Sequence, residues 1–484
     1  MSLARKAMRS AAWVALRMGG RQLANVVIFF ILAALLTPEK VGVAALGANF
    51  AVFLIPAVTR GIRDSIIQRE DLDNAFLSAA LLNNTLLGAL LSLGLLGLGA
   101  FAGQLFDEPA LGALVTGSAP IPLIAAIGSV YEAVLEREFR HKQVSFIHVF
   151  GSLASIPLVG LTLWAGAGIW ALVVFNLASY TLTTLAMILL ADWKPRTRPS
   201  RVELGHQARF ALPIICSQTI AIGMLRVVEV LIGFFLSSAS VAFFRLGSNF
   251  VRLLNQFFMA PIAQVLLPTF SRSTESPSEA FPKSITATSV VLFPVFLGTA
   301  ALLPIVIPTL FGPEWSSSVA MGMILCLGVL GPVLTPAAYA MLIARGKGGR
   351  TALLTVAELV FAVATVSAGA QINGTWAAVG FVARLVLMVP LVLWVMHRDL
   401  GVSARRVLGT MLPFLALAGV MLVVLILGLA PVSAGWPVGL RIAAAVTLGL
   451  GIYLLGFRLL GPRFFAAQYA LVVSFVPGRL ARLF

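Results

Sequence analysis

The sequence predicts an all-α polytopic membrane protein of about fourteen transmembrane helices. Three observations predict it. The 484-residue chain is 60% hydrophobic and only 11% charged, whereas soluble domains are about half apolar and about a quarter charged. Apolar runs of roughly 20 residues, enough to cross a hydrocarbon core of about 30 Å, recur from end to end. Lys and Arg gather in every second connection between those runs. Inside lipid each backbone polar group must bond within its own segment, so each run reads as a helix. The alternating segments of about ten residues that a membrane barrel needs are not seen.

The first helix is expected over 12–36. Its basic start resembles a signal peptide, but Arg17 and Arg21 interrupt the run and apolar character continues to Leu36, so the segment reads as an uncleaved helix. Five more are expected at 41–62, 75–102, 113–135, 145–165 and 168–191. The stretch Asp192–Arg209, rich in Pro and Arg, is the longest hydrophilic run and reads as a linker. A second set follows at 209–236, 240–266, 284–308, 318–342, 350–370 and 374–396, and two last helices at 408–430 and 437–458. From Arg463 to Phe484, Phe and Leu mix with arginines, the pattern of an interfacial amphipathic helix. The expected organisation is therefore a lobe over 1–205, a lobe over 206–400, and 401–484 with the last two helices and the tail.

The formal net charge of +16 is a topology signal. One set of connections carries Arg5, Lys6 and Arg9; Arg60, Arg63 and Arg69; Arg137, Arg140 and Lys142; Lys194 to Arg201; Arg345, Lys347 and Arg350; and Arg398, Arg405 and Arg406. The other set holds only Lys40. Loops rich in Lys and Arg face the cytoplasm, so both termini are expected there. No basic stretch forms a domain of its own, which argues against a nucleic-acid partner.

An internal repeat supports two halves. Leu46-Gly47-Ala48-Asn49-Phe50 recurs as Leu246-Gly247-Ser248-Asn249-Phe250, each in the second helix of a pair. The preceding helices end alike, in Phe29-Phe30 and Phe234-Phe235. Helices one and two thus echo seven and eight, as in transporters built from parallel repeats.

Charges at bilayer depth are costly, about 2.5–3.5 kcal/mol for an Arg at a helix centre on insertion scales, and so face a wet cavity or a partner. Here they cluster. Arg17, Arg21 and Asn25 share one face of helix one; Arg245, Asn249, Arg252 and Gln256 share one face of helix eight. Arg226 and Glu229 lie on helix seven and Arg384 near the middle of helix twelve. Arg17 and Arg21 are expected in the inner half, Arg226, Arg252 and Arg384 nearer the middle, and Arg245 in the outer half. Such a cationic ladder suits an anion: a desolvated phosphate needs replacement donors, and guanidinium groups supply them two at a time. Asn49 and Asn249 join as polar lining. Competing readings stay open: Arg17 snorkelling to the surface, Arg226 and Glu229 as an ion pair within one helix with Glu229 otherwise a Na+ or H+ coupling site, and the two asparagines as interhelical hydrogen-bond glue. The four histidines, His141, His148, His206 and His397, read as solvated residues in or near basic loops. Glu229 is the buried carboxylate the sequence singles out.

Nothing indicates an enzyme or a cofactor. Cys216 and Cys326 sit in apolar runs as small packing residues without metal-ligand spacing. Gly346-Lys347-Gly348-Gly349 lacks the order of a phosphate-binding loop. The longest outer loop, around Gly103–Gly112, carries only Asp107 and Glu108.

Several stretches carry a resemblance. Ile31 to Gly42 (ILAALLTPEKVG), Ile66 to Leu72 (IIQREDL), Leu135 to Arg140 (LEREFR) and Phe311-Gly312-Pro313-Glu314-Trp315 resemble the polysaccharide transporters, the Wzx-type flippases of the multidrug/oligosaccharidyl-lipid/polysaccharide exporter superfamily, in the branch that exports colanic acid, teichuronic acid and succinoglycan. Ala34 departs from that family's usual Arg after Leu-Ala. The resemblance implies a MATE/Wzx-like fold of two pseudo-symmetric six-helix lobes plus two C-terminal helices, whose helices one, two, seven and eight line a central cavity. It also implies alternating access that carries a polyprenyl-pyrophosphate-linked oligosaccharide between leaflets. Arg17, Arg21 and Arg252 match the arginine-bearing helices of the related lipid II flippases by helix. A lipid II flippase, a cation-coupled drug exporter and a non-transporting scaffold of a glycan assembly complex with polymerase or glycosyltransferase partners are the alternatives to be separated.

Overall fold

A computed structural model describes residues 20, 23–59, 66, 74–138, 140–195, 204–205, 227–272, 274–433 and 435–464. Among them the chain is helical throughout, without a strand. Fourteen helices stand on the apolar runs: α1 Leu23–Leu35, α2 Pro38–Thr59, α3 Asn74–Leu105, α4 Pro109–Arg137, α5 His141–Trp164, α6 Gly168–Leu190, α7 at 227–235, α8 Ser238–Arg272, α9 Pro277–Phe311, α10 Pro313–Ala344, α11 Gly348–Ala370, α12 Gly374–Leu400, α13 Ala404–Val432 and α14 Val438–Phe464; the expected starts of helices one and seven and the tail after 464 lie outside the described residues. Twelve are long and apolar enough to cross a membrane. The protein is a multi-pass membrane protein.

The helices overrun their apolar runs. α8 and α9 are each 35 residues long. The run sets what must lie in lipid, but backbone bonding continues into polar sequence, where water replaces lipid without breaking the helix. Helix ends follow local chemistry. Asn373 caps α12, its side-chain oxygen accepting from Trp376 N at 3.0 Å. Gly401 ends α12 in the left-handed region, φ 68°, donating to His397 O at 2.9 Å, a conformation that costs glycine least.

Two π-helical segments interrupt the ladder, Asn255–Met259 in α8 and Val424–Leu429 in α13. Each ends two residues before a proline, Pro261 and Pro431. A proline has no N–H for the carbonyl four residues back, and widening the preceding turn accommodates the loss.

The chain divides into two compact units, Met1–Ala242 and Phe243–Phe484. In the first, α2 packs on α4 so closely that a Cβ at Gly47 would lie 2.5 Å from Leu114 Cβ. Asn84 of α3 ties three helices, its amide donating to Val58 O, Ala126 O and Ser129 Oγ at 2.7–2.8 Å. In the second, the repeat equivalent of Gly47 does the same service: a Cβ at Gly247 would lie 2.8 Å from Gly322 Cα. Glycine at both positions lets helix two of each set close on helix four. The second unit's core gathers Phe281, Phe293, Phe296, Val333, Met341, Met396 and Phe414, and α14 joins it through Phe457, stacked on Phe414, and Tyr453, whose hydroxyl donates to Val290 O at 3.1 Å.

The outer surface is apolar as well. Along α3, Leu82, Leu86, Leu90, Leu93 and Phe101 are exposed at helical spacing. Water would not tolerate such a stripe, and lipid does.

Candidate functional site

In the first unit the site begins with α2, whose residues 41–49 are buried without interruption. Asn49 is 1% exposed and Glu229, on α7, is also 1% exposed. The Asn49 amide donates to the Glu229 carboxylate. The structure thus brings together two residues singled out separately, 180 positions apart, and gives the buried acid a donor from another helix. Asn25 of α1 is half-buried. Arg17, Arg21 and Arg226 lie outside the described residues, and with them the Arg226–Glu229 ion pair.

In the second unit α8 presents the expected face. Arg245 is 9% and Asn249 2% exposed; Arg252 and Gln256 are half-buried. Arg252 Nη2 donates to Asn249 Oδ1 at 2.5 Å, and Ser248 Oγ donates to Arg245 O at 3.0 Å. Asn249 Nδ2 is buried and finds no acceptor among the described residues. Gln256 stands inside the π-helical segment, which separates the guanidinium-bearing half of α8 from the half after Pro261.

Arg384 departs from the expectation of a guanidinium awaiting an external anion. It is 7% exposed. Its Nη1 lies 2.9 Å from Glu358 Oε1 on α11, its Nε donates to Phe381 O at 3.0 Å, and the guanidinium lies 3.9 Å from the Phe381 ring centroid. Phe381 in turn meets Phe244, the neighbour of Arg245, edge-on at 5.6 Å. A protein carboxylate neutralises Arg384, and a ring covers it.

Two further corrections concern acids and histidines. Glu229 is not alone among buried acids: Glu136 is 3% exposed, and Glu132 and Glu358 are half-buried. His148 is no loop residue: it is 8% exposed within α5, with Nε2 3.2 Å from Glu132 Oε2 on α4. Sequence reasoning missed Glu358 although a signal existed. It is the only acid in α11 and Arg384 the only cation in the first half of α12, and the short turn at 371–373 sets both at similar depth. Among the described residues no group of His, Cys, Asp and Glu has the arrangement of a metal site.

With this geometry in hand, comparisons with known proteins are informative. A family model described as "Polysaccharide biosynthesis protein" matches residues 31–320. The chain is 25% identical to the succinoglycan biosynthesis transport protein ExoT of Rhizobium meliloti (strain 1021), over 74% of this chain and 73% of that one. It is 22% identical to the lipopolysaccharide biosynthesis protein WzxC of Escherichia coli (strain K12), over 86% of each. Among solved structures, the lipid II flippase MurJ in an inward closed conformation superposes with a TM-score of 0.75 at 12% identity, covering 93% of this chain and 99% of that one. At that identity the likeness speaks for the fold.

Proposed function

This chain belongs to the polysaccharide biosynthesis protein family, and from that premise we propose that it is a flippase that translocates a polyprenyl-pyrophosphate-linked oligosaccharide across a bacterial inner membrane by alternating access. The observation that carries the reading is the α8 face, where Arg245, Asn249 and Arg252 put two guanidiniums and an amide at membrane depth within eight residues. A pyrophosphate stripped of water needs such donors. The names of the relatives support the passenger: succinoglycan transport and lipopolysaccharide biosynthesis both concern saccharides.

In this reading Arg17 and Arg21 receive the pyrophosphate from the cytoplasmic side, and Arg226, Arg245 and Arg252 hold it deeper. Asn25, Asn49, Asn249 and Gln256 line the wet route for the glycan, and the prenyl tail stays in lipid. Arg384 supports the α8 face through Phe381 and Phe244, with Glu358 in the place an anion would take. Residues 1–205 and 206–400 act as the two lobes, 401–484 adds α13, α14 and the tail, and both termini are cytoplasmic. Glu229, held by Asn49, is one coupling position for Na+ or H+. The membrane potential supplies about 2.3 kcal/mol per charge per 100 mV. The protein is a transporter, working beside a glycan polymerase or glycosyltransferases and without nucleic acid.

The test is export in cells lacking the gene and complemented with variants. R21A and R252A should lower surface polysaccharide at least tenfold at normal protein level. Wild-type export from both removes the anion pathway. Loss of viability on deletion, or drug sensitivity with intact polysaccharide, would replace this passenger by lipid II or a drug.

A further inference from the structure

Helices α4 and α5 carry a titratable pair that the anion pathway does not use. Glu132 stands five residues before the end of α4 at Arg137, and His148 seven residues after the start of α5 at His141. At about 1.5 Å per residue, the pair lies roughly 7–10 Å along the helices from their basic ends. His148 Nε2 is 3.2 Å from Glu132 Oε2, and the two side chains are 10% and 16% exposed. The contact has ion-pair distance without the alignment of a hydrogen bond, and Nε2 is a buried polar atom with no hydrogen-bond partner among the described residues.

The surroundings hold the pair in place. Ser152, one turn on, donates its hydroxyl to His148 O at 3.0 Å. Leu135, Val144, Ile147 and Met187 form an apolar wall beside it. The other charged or titratable groups on these two helices are Tyr131, Glu136 and Arg137 of α4, with Arg137 donating to Ile66 O at 2.8 Å, and His141 and Lys142 at the start of α5. α6 brings the hydroxyls of Ser179, Tyr180 and Thr183 and has no charged residue between Ala171 and Leu190. Gly20 comes close to α5 beside the pair: a Cβ there would lie 3.0 Å from Cγ2 of Val149, the residue after His148. The charges of that stretch of sequence are Arg17 and Arg21, outside the described residues.

We propose that Glu132 and His148 form a proton-binding site that couples this transporter to the proton gradient, a second coupling position besides Glu229. Empty, it is a carboxylate beside a neutral imidazole. Loaded, the imidazole has taken up one proton, both its ring nitrogens carry hydrogen, and the imidazolium faces the carboxylate. Histidine suits the task because its charge changes near physiological pH, and an ionisable pair at this depth is costly enough to need a function. Val149, the residue after His148, meets Gly20, in the stretch of sequence that carries Arg17 and Arg21. This inference rests on the transport reading above.

Two measurements test it separately from that reading. The full chain labelled with 15N-histidine, in lipid nanodiscs, has only four histidines, and H148Q assigns the signal. The His148 ring-nitrogen signals should change on acidification, and E132Q should alter that change. A pH-independent His148, or superimposable curves, overturns the site. In complemented cells, E132Q and H148Q should each lower surface polysaccharide at least tenfold at normal protein level, with H141Q unchanged. Wild-type export from either variant overturns the coupling role and leaves the flippase standing. An intact polysaccharide after deletion of the whole gene sinks the flippase reading instead, and the nanodisc titration then decides the proton site alone.

Discussion

Glu358 and Arg384 meet at 2.9 Å across the α11–α12 hairpin, thirteen residues before Gln371 and eleven after Asn373. The hairpin turn, not the local sequence of either helix, makes them partners. Each would be costly alone at that depth, and together they leave little net charge for a passenger to neutralise.

Removing one partner should therefore cost more than removing both. E358A is expected to lower stability by about 3–5 kcal/mol, because it strands a buried cation, whereas an E358L/R384M double variant should recover most of the loss. Thermal unfolding in detergent measures both. An E358A variant that melts like the wild type would reopen Arg384 as a direct ligand of the passenger.

Asn49 and Glu229 make the corresponding link in the first unit. N49A deprives the carboxylate of its amide donor and should cost about 1–3 kcal/mol. E229Q keeps an acceptor oxygen for Asn49 and should melt within about 1 kcal/mol of the wild type. If E229Q folds normally and export falls, Glu229 acts in coupling; normal folding with normal export limits it to structure.

The close crossing of α8 and α10 should be intolerant of a single methyl group. A Cβ at Gly247 would sit 2.8 Å from the backbone of Gly322, which cannot swing aside. G247A is expected to destabilise by about 1–3 kcal/mol through overpacking. At Gly97 and Gly160 a Cβ meets nothing within 4 Å, so alanine there should be neutral or stabilise by up to about 1 kcal/mol. Melting curves of the three variants in one detergent make the comparison.

The π-helical segment of α8 should matter for movement more than for folding. P261A supplies the missing N–H and lets residues 255–259 tighten into an α-helix. Tightening re-aims the Arg245–Gln256 face relative to the half of α8 that follows. Protein level and melting should hold while export falls about tenfold, the size of a barrier change near 1.4 kcal/mol. P431A, which relieves the matching segment in α13, should leave export unchanged. Equal export from both variants would show that the α8 segment is only an accommodation of its proline.

Much of this protein is decided along the chain. Apolar runs of membrane length determined fourteen helices, because lipid admits few other ways to satisfy a backbone. The glycines and asparagines of the two five-residue repeats marked the paired helices, and helical spacing put Arg245, Asn249 and Arg252 on one face. Partnership was decided only in three dimensions. Asn49 finds Glu229 180 positions away, Arg384 finds Glu358 across a hairpin, and His148, placed by sequence near a basic loop, finds Glu132 inside a helix pair. The reason is physical: burial in lipid is a property of a segment and can be summed along it, whereas the neutralisation of a charge depends on distances between segments, which sequence spacing does not contain.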